Sequence, residues 1–301
     1  MRYIDQFGET GVFFGFDREH LKYPSAIAVA KDGSILVADS SNYRLVRLSE
    51  DLKYIDQFGE TGVSGSDREH LKNLSGIAVA KDGSILVADG NNYRLVRLSE
   101  DLKYIDQFGE TGVSGSDREH LGYSSGIAVA KDGSILVADG SNYRLVRLSE
   151  DLKYIDQFGE TGVSGSDREH LGYPSAIAVA KDGSILVADN DNHRLVRLSE
   201  DLKYIDQFGE TGVSGPDREH LKNLSGIAVA KDGSILVADG GNYRLVRLSE
   251  DLKYIDQFGE TGVSGPDREH LNYFEGIAVA KDGSILVADN DNHRLVRLSE
   301  D

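Results

Sequence analysis

The chain repeats itself every 50 residues, and that property alone rules out most folds. The block Asp51-Leu52-Lys53-Tyr54-Ile55-Asp56-Gln57-Phe58-Gly59 returns at 101, 151, 201 and 251, and the block Ile27 to Asp39 occurs six times at the same interval. A length of 301 residues would by itself suggest two domains. A sustained period of this size instead denotes one array of supersecondary units. The single residue beyond six full periods enters at Phe13-Phe14, where later copies have one serine. One domain over 1–301 is therefore expected.

Each repeat reads as four short strands. Strand a, Ala26 to Ala30, ends at Lys31-Asp32-Gly33-Ser34, whose Asp-Gly pair is a strong hairpin signal. Strand b, Ser34 to Asp39, leads through the small-residue turn Ser40-Ser41-Asn42 into strand c, Tyr43 to Leu48. Strand d, Leu52 to Phe58, precedes a longer connection from Gly59 to Ser75, in which Ser66-Asp67-Arg68-Glu69 resembles a capping box for one helical turn. Strands a and b are almost continuously apolar, so both of their faces must be covered. Four-stranded sheets arranged radially achieve this, each blade packing between two neighbours. The small Ala and Gly residues of strand a suit the crowded axis, and Tyr54 and Phe58 suit the wider rim.

A linear solenoid would require atypical capping repeats, and the sequence has none. It stops at Asp301, after strand c of the sixth repeat, and begins with Met1 to Phe7, a strand d without a preceding c. Asp301 followed by Met1-Arg2-Tyr3 reproduces Asp51-Leu52-Lys53-Tyr54 with two mild changes. The expected fold is all-β: a six-bladed β-propeller of four-stranded antiparallel blades, closed by the N-terminal strand completing the last blade and removing two exposed sheet edges.

The stretch Ile-Ala-Val-Ala…Asp-Gly-Ser-Ile-Leu-Val-Ala-Asp-x-x-Asn-(Tyr/His)-Arg-Leu-Val-Arg, followed by a strand ending in Phe-Gly, resembles the NHL-repeat family of six-bladed propellers. The match is fullest at Val187 to Arg194 and in the copy at 287–294, and it extends over the whole chain. Four of the six copies have Tyr where the family often has His. The absence of tryptophan separates the chain from WD40 and most kelch repeats. The resemblance implies three functional classes: recognition scaffolds, lyases or lactone hydrolases with a metal near the axis, and RNA binders with a basic top surface.

Composition narrows these. The formal net charge of -18 opposes nucleic acid and anionic membranes, which demand basic surface. No apolar run approaches the roughly 18 residues of a membrane span, and Met1 to Gln6 has no signal-peptide core. Zero cysteine excludes thiol chemistry and fits a cytoplasmic address.

Differences among the repeats locate the candidate site. From Asp17 onward, 41 of 50 columns are identical in every copy. The nine variable columns begin at Phe16, Lys22, Tyr23, Pro24, Ser25, Ala26, Ser40, Ser41 and Tyr43. All lie at the d-to-a connection or the b-to-c turn, which share one face of an antiparallel blade, while the opposite turns never vary. Loops on both faces should tolerate drift, so restriction to one face points to recognition. The sampled Tyr, Asn, Ser, Gly, Asp and His resemble a paratope vocabulary. The expected ligand-binding residues are Tyr23, Asn73, Tyr123, Tyr173, Asn223 and Tyr273, together with Tyr43, Tyr93, Tyr143, His193, Tyr243 and His293. The expected partner is a protein, peptide or small polar ligand, bound by a monomer without cofactor, metal or catalytic residues. Near-identity elsewhere denotes recent amplification or engineering from one blade, and an engineered ring need have no ligand.

Two further sets invite chemistry but read as scaffold. His20, His70, His120, His170, His220 and His270 obey the sixfold repeat that a single catalytic centre must break, so each is expected to bond loop backbone through a ring nitrogen. Asp39, Asn42 and Arg44, with their copies, are expected to close turns and form a structural ion pair. Asp191/His193 and Asp291/His293 are the acid–base pairs that break symmetry. Lys22, Lys72 and Lys222 are too few to form a nucleic-acid track.

Overall fold

The computed structural model describes residues 1–10 and 17–300. It contains six four-stranded antiparallel sheets in a closed ring, five of them meanders in chain order and the sixth completed by the N-terminal strand. In the first blade, strand a is Pro24–Val29, b is Ile35–Asp39, c is Arg44–Leu48 and d is Tyr54–Phe58. The small-residue turn between b and c is a short 3-10 turn, Ser40–Asn42, closed by Tyr43 in the left-handed region. The expected helical turn near Ser66 does not form. Asp67, rather than Ser66, accepts from the N–H groups of Glu69 and His70 and makes a tight carboxylate-capped bend. The insertion at Phe13-Phe14, the variable column at Phe16 and Asp301 lie outside the described residues.

Closure follows the expected route. The N-terminal strand Arg2–Phe7 pairs with Arg294–Ser299, from Arg2 opposite Ser299 to Phe7 opposite Leu295. Apolar clusters sit between blades rather than within them. One joins Leu286, Ala288 and Leu295 of the sixth blade to Ile27, Ile35 and Val37 of the first. The bottom turns add a second closure that the sequence did not announce. Each Lys31-type ammonium donates to the backbone carbonyl of the equivalent lysine in the next blade, from Lys31 to Lys81 and onward until Lys281 returns to Lys31.

Strand a faces the axis, and its Ser, Ala/Gly and Ile residues line a central shaft. Gly76 shows why small residues are required there: a Cβ would lie 2.1 Å from the carbonyl oxygen of Ser125 in the next blade. Strand d forms the rim, where Ile55 is half exposed and Arg18 lies 5.3 Å from the Tyr54 ring centre. The sixth blade departs from its siblings, because its strand a spans only Ile277–Val279.

Candidate functional site

The most charged cluster of the blade is scaffold. Asp39 is fully buried and accepts from Arg44 Nε at 2.7 Å, Asn42 Nδ2 at 2.8 Å and the Lys22 N–H at 2.6 Å. It thereby staples the d-to-a connection to the b-to-c turn. Burial pushes its carboxyl pKa up, against the pull of Arg44, Asn42 and the Lys22 amide. The rest of the guanidinium satisfies local groups, including the His20 carbonyl at 2.8 Å and Thr61 at 3.0 Å. One nitrogen, not a bidentate fork, meets the carboxylate.

The six repeated histidines are also structural, but through a different partner from the expected backbone. His70 Nδ1 lies 2.8 Å from Asp67 Oδ1, and its Nε2 lies 3.8 Å from Glu60. The Asp67 hydrogen bond holds the imidazole above its ordinary pKa, and the same direction holds at His20, His120, His170 and His220. Among the described residues, no three His, Asp or Glu side chains come together to hold a metal ion.

The d-to-a and b-to-c loops do share a face, here called the top: the Ser41 N–H donates to the Lys22 carbonyl. The two halves of the expected binding set sit at different radii. Tyr43, Tyr93, Tyr143, His193, Tyr243 and His293 close the b-to-c turns, with φ between 54° and 58°. They stand between the second and third strands, one step out from the axis. His293 alone in this column is fully buried. It accepts from the Tyr23 N–H through Nδ1 at 3.2 Å, and the Tyr23 ring meets its ring edge-on at 4.6 Å. Burial lowers its pKa, with Asp291 pulling the other way.

The column at 23 adopts two conformations, and the preceding residue selects between them. Tyr23, Asn73, Asn223 and Tyr273 have positive φ, whereas Tyr123 and Tyr173 do not. Those two follow Gly122 and Gly172, where the other blades have Lys or Asn. The b-to-c turn donates to the carbonyl of Lys22, Lys72, Lys222 or Asn272 in the first state, with Asn73 also accepting in the second blade, and to that of Tyr123 or Tyr173 in the other. In this second state Tyr123 packs over Gly90 and Tyr173 over Gly140 of the preceding blade; a Cβ on either glycine would lie 2.8 Å from the ring. Asn73 Nδ2 donates to the Tyr123 hydroxyl at 3.1 Å. Asn223 is exposed, and Tyr273 is 40% exposed.

Beneath these side chains lies a feature that the sequence reading passed over. Ser25, Ser75, Ser125, Ser175 and Ser225 each donate to the carbonyl at the start of strand a in the next blade, at 2.6–3.2 Å. The sixth member of this ring is Glu275. It stands at the seam between the sixth and first blades, beside the shortened strand. Burial and the nearby Asp291 raise its carboxyl to about 7, with a hydrogen bond from Asn290 pulling the other way. Burial raises the Tyr123 phenol, which also feels Glu275 and Tyr273, residues of the blade directly across the ring. Burial likewise raises Tyr173 to about 12, reinforced by Tyr123, Asp191, Asp139 and Tyr273. The signal for Glu275 was present as the only non-serine in its column.

The NHL repeat family model matches residues 21–48, 171–198 and 271–298, the same span in three blades that differ from the others at only a few positions. These matches and the six-bladed ring support an NHL-repeat propeller. No curated protein sequence matches this NHL-repeat chain significantly. Among solved structures it is similar to a streptogramin B lyase, at 14% identity and TM-score 0.65, covering 98% of this chain and 96% of that one. It is similar to a protein of unknown function from Bacteroides thetaiotaomicron, at 16% identity and TM-score 0.77, covering 99% of this chain and 75% of the other. An auxiliary nutrient binding protein from the same organism aligns at 12% identity and TM-score 0.70, covering 97% and 75%. At such identities these likenesses concern the fold alone.

Proposed function

We propose that this propeller is a non-enzymatic recognition module that binds a peptide, protein or small polar ligand on its top face. One observation carries the reading. The differences between blades lie in the d-to-a and b-to-c loops, which meet on the top face, whereas the opposite turns are identical in every blade. Rigid aromatics give contact area at low entropic cost, and neighbouring Asn and Ser add adaptable hydrogen bonds. Catalysis is the weaker reading, because the acid–base pair Asp291/His293 has its imidazole buried and engaged by the Tyr23 N–H.

The test is a peptide-library selection against the whole chain, followed by hydrogen-exchange mapping of the selected ligand. Protection is expected at 22–26 and 40–43 and at their counterparts in other blades. Protection confined to the bottom turns, such as Lys31 to Gly33 and Ser49 to Asp51, would overturn the proposal.

A further inference from the structure

The bottom face carries two sets of cations that bridge the seams between blades. The inner set is the ring of Lys31-type ammonium groups. The outer set stands on strand c: the Arg47 guanidinium donates to the backbone carbonyl of Glu100 in the next blade, and Arg97, Arg197, Arg247 and Arg297 reach Glu150, Glu250, Glu300 and Glu50 likewise. At the seam of the first and second blades, Lys31 and Arg47 line a cavity of about 330 Å³, a size that suits a small molecule. Its charged lining is divided by blade: the first supplies Lys31, Asp32 and Arg47, and the second Glu100 and Asp101. Asp32 is engaged within its own turn, where Oδ1 accepts from the Ser34 N–H at 2.9 Å and from the Ser34 hydroxyl at 2.7 Å. Gly83, at φ 95°, leaves the room that the Glu100 carboxylate occupies, and a Cβ there would collide with it. The cavity therefore has a cationic wall from one blade and an anionic wall from the next.

The arginine of this cavity is found in two states. In the first blade Arg47 Nε stands 3.5 Å from Asp56 Oδ1, and among the described residues neither atom has a hydrogen-bond partner. In the second blade Arg97 Nε closes on Asp106 Oδ1 at 2.7 Å, and the equivalent cavity is about 40 Å³. At the sixth-to-first seam Arg297 Nε stands 3.6 Å from Asp5 Oδ1, again without a hydrogen bond among the described residues, and the cavity is about 110 Å³. The cavity is larger at both seams where the guanidinium keeps a buried donor unused, and buried donors are as a rule satisfied. A carboxylate is the natural partner of such a guanidinium. A simple anion, however, would be repelled by Glu100 and Asp101, and a simple cation by Lys31 and Arg47. We propose that this cavity binds a short zwitterion, a free amino acid or a small peptide with unblocked ends, its carboxylate on Lys31 and Arg47 and its ammonium on Glu100 and Asp101. The site lies on the face opposite the recognition loops and does not depend on that reading.

The experiment is calorimetric titration of the full chain at pH 7 with glycine and glycylglycine. N-acetylglycine supplies the anion alone, and glycinamide the cation alone. Saturable binding of a zwitterion is expected, at least tenfold tighter than that of either singly charged control. Tighter binding of glycylglycine identifies a peptide as the ligand, and equal or tighter binding of glycine a free amino acid. Because the lining recurs in every blade, the variants change all copies of a residue together. Glu50→Gln with its five copies is the decisive set, since Glu50 and Glu100 are exposed and circular dichroism can verify the fold. It should weaken the zwitterion at least tenfold without weakening N-acetylglycine. Arg47→Gln with its five copies should weaken the zwitterion as much, and the glutamate set decides whether or not the arginine set folds. No saturable binding of either zwitterion, no preference over the two controls, or equal binding by wild type and the glutamate set would overturn the inference.

Discussion

Removing one buried carboxylate from one blade should destabilise the whole ring, and Asp139→Ala in the third blade is the cleanest case. Asp139 is fully buried and Arg144 is 2% exposed. The carboxylate accepts from Arg144 Nε at 2.8 Å, Asn142 Nδ2 at 2.9 Å and the Gly122 N–H at 2.8 Å. Alanine leaves a guanidinium still tied to the Ser116, Asp117 and His120 carbonyls, and so unable to swing out to water. A buried charge stripped of its partner costs about 3–5 kcal/mol. With an unfolding entropy of about 2 cal/mol/K per residue, that corresponds to a fall in Tm of roughly 5–8 °C for a chain of this length. Thermal melts followed by circular dichroism at pH 7, supported by urea midpoints, would measure it. Asp189→Ala is a built-in replicate, since Asp189 meets Arg194, Asn192 and Gly172 in the same way. A loss below about 1 kcal/mol in both variants, the value of an ordinary exposed ion pair, would refute the assignment of this cluster as the staple of the blade.

Three other expectations follow from the same geometry. Deleting Met1 to Gly8 strips Tyr3 and Phe7 from the last blade and uncovers Leu295 and Leu298, both fully buried; at about 1.5–3 kcal/mol for each large apolar side chain, unchanged Tm and monomeric behaviour would contradict closure by the N-terminal strand. Glu275→Ser should match wild type in stability below pH 4.5 and exceed it above pH 7. The folded-state pKa is raised to about 7, so the favourable protonated state is lost as pH rises through that value; the gain should not exceed about 3 kcal/mol, lessened by water in the shaft. A wild type equal to the variant at pH 8 would contradict it. A fragment from Asp51 to Glu200 has three blade equivalents with complementary ends, and should close head-to-tail with a second copy. Light scattering that finds a folded three-blade monomer would count against this.

The fold was legible because it was written six times. Alternating turn signals and doubly apolar strands define one blade, and the offset between the ends of the chain leads to the pairing of Arg2–Phe7 with Arg294–Ser299. The scaffold role of the histidines was also readable from their sixfold repetition, but not their partner. Asp67 lies three residues before His70, and only the bend places that carboxylate beneath the imidazole. The lysine ring of the bottom turns could not be read at all, because it depends on blade-to-blade spacing at the axis. At the candidate site the sequence placed the variable columns in the d-to-a and b-to-c loops, and the structure brings those loops together on one face. The sequence did not reveal that Gly122 and Gly172 turn two of the tyrosines into a different conformation, since Lys and Gly at one loop position look like tolerated variation.

Repetition supplies its own control for separating scaffold from site. A residue present in all six blades must satisfy a requirement common to every blade, as the Asp39-type staple does. A residue present once must satisfy something local to its blade or something beyond the scaffold. Phe274 is the first kind of exception: it is unique in its column and fully buried, packed with Leu271 and Ile277. Glu275 is different. It forgoes the serine's hydrogen bond to the next blade, brings a carboxylate near Asp291, and lies beside a strand a reduced to Ile277–Val279. Each of these weakens the seam where the ring must close, and a serine would avoid the first two. A substitution that gives up an interblade hydrogen bond and sets two carboxylates close together answers no requirement that the other five blades share.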